Sequence, residues 1–191
     1  MTKPVRTRRK NAFNLYREAE SMASFDEFPM LRPEVDPQIH LSRNEVSQPF
    51  HLLCEKDTVI AQLSGRSRLE FTNGPVRYFD LEPGDFAYVP GGAIHRLTTV
   101  SSGTMLRYKA RQPGTEKVLW FCDNCGKEVA HHEWNATEIP VQRGYLTACN
   151  AYNTDQNRRR CSACGTVHAP LDLSPFRWDA IIEKLAETDE D

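Results

Sequence analysis

No apolar run in the 191 residues approaches the length that spans a bilayer. The basic opening, MTKPVRTRRKN, leads into no apolar segment, so it does not read as a secretory signal. A membrane protein is therefore not expected, and the cytoplasm is the default location. An excess of one charge is also missing. Lys and Arg number 24 against 26 Asp and Glu, a formal net charge of -2, so no global basic field draws the chain to nucleic acid. Internal repeats and long low-complexity stretches are absent too. What is present is a globular composition, 39% hydrophobic and 26% charged, with length for one sizeable domain and a small appendage.

Residues 1–11 read as a disordered basic arm. Residues 12–24, AFNLYREAESMAS, can form a helix with Phe13, Leu15, Tyr16 and Met22 on its apolar side, and 25–37 is Pro-rich and irregular. Eight short strand candidates follow: 38–41, 50–53, 58–63, 67–71, 76–80, 85–89, 95–100 and 104–109. Turn chemistry such as Thr72-Asn73-Gly74 and Pro83-Gly84 separates them. Many short strands at regular spacing predict a sandwich or barrel. The pattern changes at Gln112-Pro113-Gly114, which sets a boundary near 112–118, with a barrel over 12–112 and a cysteine-punctuated region over 113–191. Phe176, Ile181, Ile182 and Leu185 recur at helical spacing and predict a final helix; the acidic end, 187–191, reads as frayed.

Four of the six cysteines form two C-x-x-C pairs, Cys122/Cys125 and Cys161/Cys164. Each tight turn puts two thiolates on one side of a loop, and two such turns facing each other make a tetrahedral four-sulfur site. Gly165 supplies the positive φ that a knuckle needs. Four thiolates suit Zn²⁺ or one Fe. A redox dithiol or two disulfides are the alternatives. A closed four-sulfur site has no open position and is structural, so chemistry belongs to the barrel. Cys54 and Cys149 stand alone and read as buried thiols.

One stretch organises the barrel: Pro83–His95, PGDFAYVPGGAIH. It is a turn, a short strand, a second turn and one histidine. Read alone it is either a hairpin with an exposed His or a metal-binding motif. Together with the knuckles and with AFNLYRE at 12–18, PFH at 49–51, QLSG at 62–65, LWFCDNCGKEV at 119–129 and CSACGTVH at 161–168, it resembles the bacterial 3-hydroxyanthranilate 3,4-dioxygenase family. The resemblance implies a mostly β fold: a cupin double-stranded β-helix, or jelly-roll barrel, with a small C-terminal rubredoxin-like four-cysteine metal region and a few short helices. It also implies a homodimer, Fe(II) in the barrel, O₂ as co-substrate, and opening of an aminophenol carboxylate ring in tryptophan catabolism.

Members of that family hold iron with two histidines and a carboxylate, leaving positions open for substrate and O₂. His51 matches the first histidine and His95 the second. Counted back from QLSG, the carboxylate position falls on Thr58; Asp57 lies one residue earlier and Glu55 three. A bulge would turn Asp57 inward to complete the set; otherwise Glu55 or water takes the place. Ser47 and Thr99 stand where the family carries substrate-binding arginines, and Tyr108 lies close to where it carries a glutamate. Arg43, Arg66, Arg68 and Arg107 are candidate replacements, each read as a surface residue. No substrate-binding residue is therefore assigned. Three functions follow: an Fe(II) ring-cleaving dioxygenase for an o-aminophenol or related ring, a diverged cupin metalloenzyme acting on another small molecule, or a non-catalytic ligand-binding cupin.

Overall fold

A computed structural model describes residues 5–188. Two antiparallel sheets form the molecule. The first runs in the order β1 (Phe28–Pro29), β2 (Gln38–Asn44), β9 (Gly103–Lys109), β4 (Thr58–Gln62), β7 (Phe86–Val89). The second runs β11 (Glu128–Asn135), β10 (Thr115–Phe121), β3 (His51–Cys54), β8 (His95–Ser101), β5 (Arg66–Phe71), β6 (Tyr78–Leu81). The eight expected strands are β2 to β9, with shifted ends.

Side-chain alternation builds the interior. On β7, Ala87 and Val89 turn inward while Phe86 and Tyr88 face out. Leu52, Leu69, Leu97, Ile60 and Met105 join them in one buried cluster. Strand β9 is buried on nearly every residue, because the outer face of its sheet is covered as well. There Leu41, Ala61 and Leu106 meet Ala19, Met22 and Phe28, together with Ile181 and Leu185 of the final helix, α3 (Trp178–Thr188).

The boundary near 112–118 does not interrupt the sheet. Strand β10 continues the barrel wall, pairing with β3 from Glu116↔Cys54 to Leu119↔His51. The stretch between the cysteine pairs contains β11 and the helix α2 (Val141–Thr154). Tyr145, Ala148, Cys149 and Tyr152 form the buried stripe of α2 at helical spacing. Gly144 lets α2 lie against Trp134, since a Cβ there would come within 2.2 Å of the indole.

The expected helix over 12–24 shrinks to α1 (Leu15–Ala19), capped by Asn14 Oδ1 on the N–H of Arg17. The chain turns early because the Ser21 hydroxyl returns to the Glu18 carbonyl and Met22 enters the core. The arm read as disordered is ordered over its described part, 5–11. Thr7 is buried, and Lys10 bridges Leu31 and pairs with Glu18. Residues 1–4 of that arm, and 189–191 of the acidic end, lie outside the described residues.

Residues 24–27 form a strained plug. Phe25 and Glu27 have φ of 51° and 41°. Neighbours hold them there: Asn44 Oδ1 accepts from Phe25 N–H, Ser42 Oγ from Glu27 N–H, and the Phe25 carbonyl from Trp178 Nε1. Gln142 Nε2 donates to the carbonyls of Asp26 and Glu27, and Arg177 pairs with Asp26. Such positions persist where the surroundings over-determine them. The result is that Glu27 is driven into the interior.

Candidate functional site

The four paired cysteines converge. Sγ of Cys122 lies 3.6 Å from Sγ of Cys164, and Cys125 lies 3.6 Å from Cys161. All four sulfurs fall within 4.8 Å of one another. A tetrahedron with metal–sulfur bonds of about 2.3 Å has edges of about 3.8 Å, so the residues fit a metal. The two knuckles match bond for bond. Cys122 N–H donates to Lys127 O and Gly126 N–H to Cys122 O, as Cys161 N–H donates to Thr166 O and Gly165 N–H to Cys161 O, all at 2.8 Å. Gly165 has φ 77°, as its position in the sequence requires, and Gly126 has φ 71°. The Thr166 hydroxyl lies 3.2 Å from Cys164 Sγ and is the main cause that holds this thiol down at about 5. Among the described residues this is the one group of three or more His, Cys, Asp or Glu side chains arranged to hold a metal.

The barrel residues do not converge. His95 pairs with Leu52 across β8 and β3, which puts it on the inner face, fully buried. His51 is the next residue along β3 and therefore faces the opposite way. It pairs with Leu119 on the outer face and meets the Phe121 ring edge-on at 4.9 Å. The two imidazoles thus lie on opposite sides of one sheet, which corrects the expectation that they share a cation. Burial and then the charge of Arg96 hold His51 neutral, down to about 4.

Asp57 is corrected too. It is exposed in the β3–β4 turn and accepts the Gly91 N–H at 2.8 Å. Strand β4 pairs with β7 without a bulge from Thr58↔Val89 to Ala61↔Phe86. Thr58 is the residue that turns inward, with its buried Oγ1 making no hydrogen bond. Glu55 is exposed and accepts the Thr115 N–H at 2.8 Å.

What faces His95 is an arginine. Arg107, read as a surface residue, is 0% exposed and points its Nη1 at His95 Nε2, 2.9 Å away. The other ring nitrogen, Nδ1, lies 3.0 Å from the Ala93 carbonyl, so Nδ1 donates there and Nε2 accepts from the guanidinium. Burial first, and the Arg107 charge second, push His95 down to about 3. Both ring nitrogens are in use, and a cation occupies the approach to the second. The barrel residues present do not fit a two-histidine iron centre.

Arg107 belongs to a buried ion network that the sequence reading missed. Its Nε lies 3.2 Å from Glu27 Oε1, outside hydrogen-bond geometry, and Nη2 makes no hydrogen bond. Lys109 Nζ donates to both oxygens of Glu116, at 2.8 and 3.0 Å, and lies 3.5 Å from Glu27 Oε2. Tyr145 donates to Glu27 Oε2 at 3.1 Å. Burial works to raise the Glu27 pKa, but Arg107, Lys109, His40 and Tyr145 outweigh it and hold it at about 2. Two cations and two carboxylates thus balance inside the barrel. A signal existed for part of this: Arg107 and Lys109 share one period-2 face of β9. Both faces of β9 are buried, however, so alternation alone does not select the inner one.

The other expected substitutions are structural. Ser47 Oγ accepts the Thr99 N–H, and the Thr99 hydroxyl donates to the Val46 carbonyl, so these two positions tie strand β8 to the segment before β3. Arg68 makes a two-point contact with Asp80 and covers the Tyr78 ring, while Arg66 is exposed near Glu82 and Arg43 is half-buried. Tyr108 packs on the outer face of its sheet.

Beside the interior a cavity of about 480 Å³ opens between the 72–77 and 90–93 turns, lined by Phe71, Val76, Phe79, Tyr88 and Pro90. Phe71 stands between it and His95, its ring 6.0 Å from Phe79 and 6.4 Å from His95.

No family model matches the chain. The 3-hydroxyanthranilate 3,4-dioxygenase of Burkholderia cenocepacia is 29% identical over 111 residues, covering 56% of this chain and 62% of that protein. The enzyme of the same name from Cupriavidus pinatubonensis is 26% identical over 111 residues, covering 56% and 58%. The chain spans about three fifths of the length of these curated relatives. Among solved structures, hydroquinone 1,2-dioxygenase from Sphingomonas sp. TTNP3 in complex with 4-nitrophenol is similar over 54% of this chain and 33% of that one, at 15% identity and a TM-score of 0.49. With its two antiparallel sheets, its four-cysteine cluster and these sequence relatives, the chain is a diverged relative of the 3-hydroxyanthranilate 3,4-dioxygenase-like cupins.

Proposed function

We propose that this chain is a ligand-binding cupin that takes an apolar, aromatic small molecule at the barrel mouth and runs no iron chemistry inside the barrel. The observation that carries it is the 2.9 Å contact from Arg107 Nη1 to His95 Nε2. A guanidinium stays charged at any accessible pH, so it repels a divalent ion from the one inward imidazole. The mouth cavity supports the ligand class. About 480 Å³ is within the usual range for small-molecule sites, and aromatic and aliphatic side chains line it. The four-cysteine cluster holds Zn²⁺ or Fe as a structural staple for the C-terminal region.

A second reading is favoured by the names of the sequence relatives, 3-hydroxyanthranilate 3,4-dioxygenases: a dioxygenase that opens an o-aminophenol ring. Fe(II) in the barrel, a homodimer and a cytoplasmic location belong to that reading as expectations from the sequence. A different metal-dependent reaction in the same barrel would share its need for iron or another ion there. One experiment separates these readings. The protein is loaded anaerobically with Fe(II), its metal per chain is measured, and O₂ uptake is followed with a panel of o-aminophenols and catechols. In parallel, 1-naphthol is titrated while the Gly91 and Gly92 amide resonances are followed. The proposal expects one metal per chain, no uptake, and saturable shifts that Phe79→Ala weakens. Two metals per chain with uptake would establish the dioxygenase instead.

A further inference from the structure

The two knuckles correspond residue for residue: Cys122-Asp123-Asn124-Cys125-Gly126-Lys127 against Cys161-Ser162-Ala163-Cys164-Gly165-Thr166. The first sulfur of each is buried, with Cys122 at 3% and Cys161 at 1% exposure, and the second of each is exposed. The exposed pair differs in what surrounds it. We propose that Cys125 is the sulfur at which small electrophiles, hydroperoxides among them, first attack the metal-loaded cluster. This rests on the reading of the cluster as a metal site.

Attack needs a thiolate that a reagent can reach. Metal binding makes thiolates of the cysteines it holds, and burial withdraws Cys122 and Cys161. Of the remaining two, Cys164 is the better supplied with donors. The Thr166 hydroxyl lies 3.2 Å from its sulfur. The Thr166 backbone N–H and the Asn124 side chain also donate to it. At Cys125 the matching residue is Lys127, and its backbone N–H is the one donor apart from the cluster's own sulfurs. A hydrogen bond donated to a thiolate draws electron density from sulfur and lowers its nucleophilicity. Cys125 is therefore both open to solvent and the more nucleophilic of the exposed pair.

The step with a hydroperoxide balances without a further redox partner. A lone pair on Cys125 Sγ attacks one peroxide oxygen, the O–O bond breaks, and the departing alkoxide or hydroxide takes a proton from water. Sulfur is oxidised to a sulfenic acid as the peroxide is reduced. Cys161 Sγ lies 3.6 Å away. Its attack on the sulfenic sulfur expels hydroxide and forms a Cys125–Cys161 disulfide between the knuckles. The metal then loses two of its ligands and leaves.

The test uses the full-length protein loaded with Zn²⁺, which has no redox chemistry of its own, with zinc per chain measured first. Substoichiometric N-ethylmaleimide is added, the reaction is quenched with acid at short times, and labelled peptides are mapped by mass spectrometry. Cys125 should carry several-fold more label than Cys164, with the buried Cys54 and Cys149 unlabelled. Thr166→Val removes the hydroxyl at nearly constant shape and should raise Cys164 towards the rate of Cys125. Lys127→Thr should slow Cys125 several-fold. With hydrogen peroxide, dimedone should trap a sulfenic acid at Cys125; without dimedone, zinc should leave in step with the Cys125–Cys161 disulfide. Label arriving first at Cys164, equal label on both, or an order that neither variant moves would overturn the proposal and leave the metal reading standing. A chain that binds no zinc would overturn both.

Discussion

The two places expected to hold metal differ in how their ligands are brought together. At the knuckles, each pair of sulfurs is set by a turn of four residues, closed by its own backbone hydrogen bonds. Only one long-range event is needed, the meeting of two finished turns. In the barrel, His51 and His95 are 44 positions apart and each depends on strand register. A shift of one residue moves a side chain to the other face. The local device needs only a short window of sequence, whereas the register-dependent one can fail with both histidines in place.

The largest effect expected from breaking this contrast is at the knuckles. Cys161→Ser, or removal of the metal by a chelator, should release the C-terminal region, since structural Zn²⁺ contributes on the order of 10 kcal/mol of folding free energy. Metal content, thermal unfolding and protease sensitivity of α2 and α3 check this; an unchanged melting curve after metal loss would show that the cluster staples nothing.

In the barrel, Arg107→Met leaves Glu27 buried without its main partner and should cost about 3–5 kcal/mol. The double substitution Arg107→Met with Glu27→Gln should recover much of that. Urea unfolding of the three variants measures it. If the single variant instead gains stoichiometric iron, the guanidinium is what keeps the ion out of the barrel.

Acid should expose the same region. Folded His95 stays neutral down to about pH 3, while an unfolded histidine takes its proton near 6.5. Between those values the unfolded chain binds more protons, so stability falls as pH drops, by about 1.4 kcal/mol per unit for this one group, and levels off below about pH 3. Glu27, depressed to about 2, adds its own loss as pH falls from about 4.5. Unfolding measured at steps from pH 7 to 4 should show this slope, and His95→Gln should reduce it.

Gly144→Ala tests the joint between the two regions. Its Cβ would press into the Trp134 indole, at a cost of about 1–3 kcal/mol. Smallest of all is His51→Ala. The outer face loses one edge contact with Phe121, about 1 kcal/mol or less, and the metal content should not change. A fall in bound metal would reverse the assignment of His51 to the outer face.

The eight strands between residues 38 and 109 were legible because turn residues bracket each run and strand length is local information. The alternation of Phe50, Leu52 and Cys54 about His51 was present in the sequence, but the family resemblance placed His51 inward instead. That pattern already sets the histidine on the other face. Strand β10 was not legible, because its pairing partner, β3, lies some sixty residues earlier. The α2 stripe of Tyr145, Ala148, Cys149 and Tyr152 was present in the sequence but reads as scattered apolar residues among polar ones until Trp134 and Phe50 are placed beside it.

By itself the sequence determined the strand-rich barrel, the sulfur cluster and the final helix, since each rests on spacing within a short window. Only the tertiary structure decided the chemistry of the interior. Glu27 arrives on a strained plug, Arg107 and Lys109 from β9, Glu116 from β10 and His95 from β8, all from distant parts of the chain. In a low-dielectric interior such charges are tolerable only when they meet, and no local pattern in the sequence states that they do.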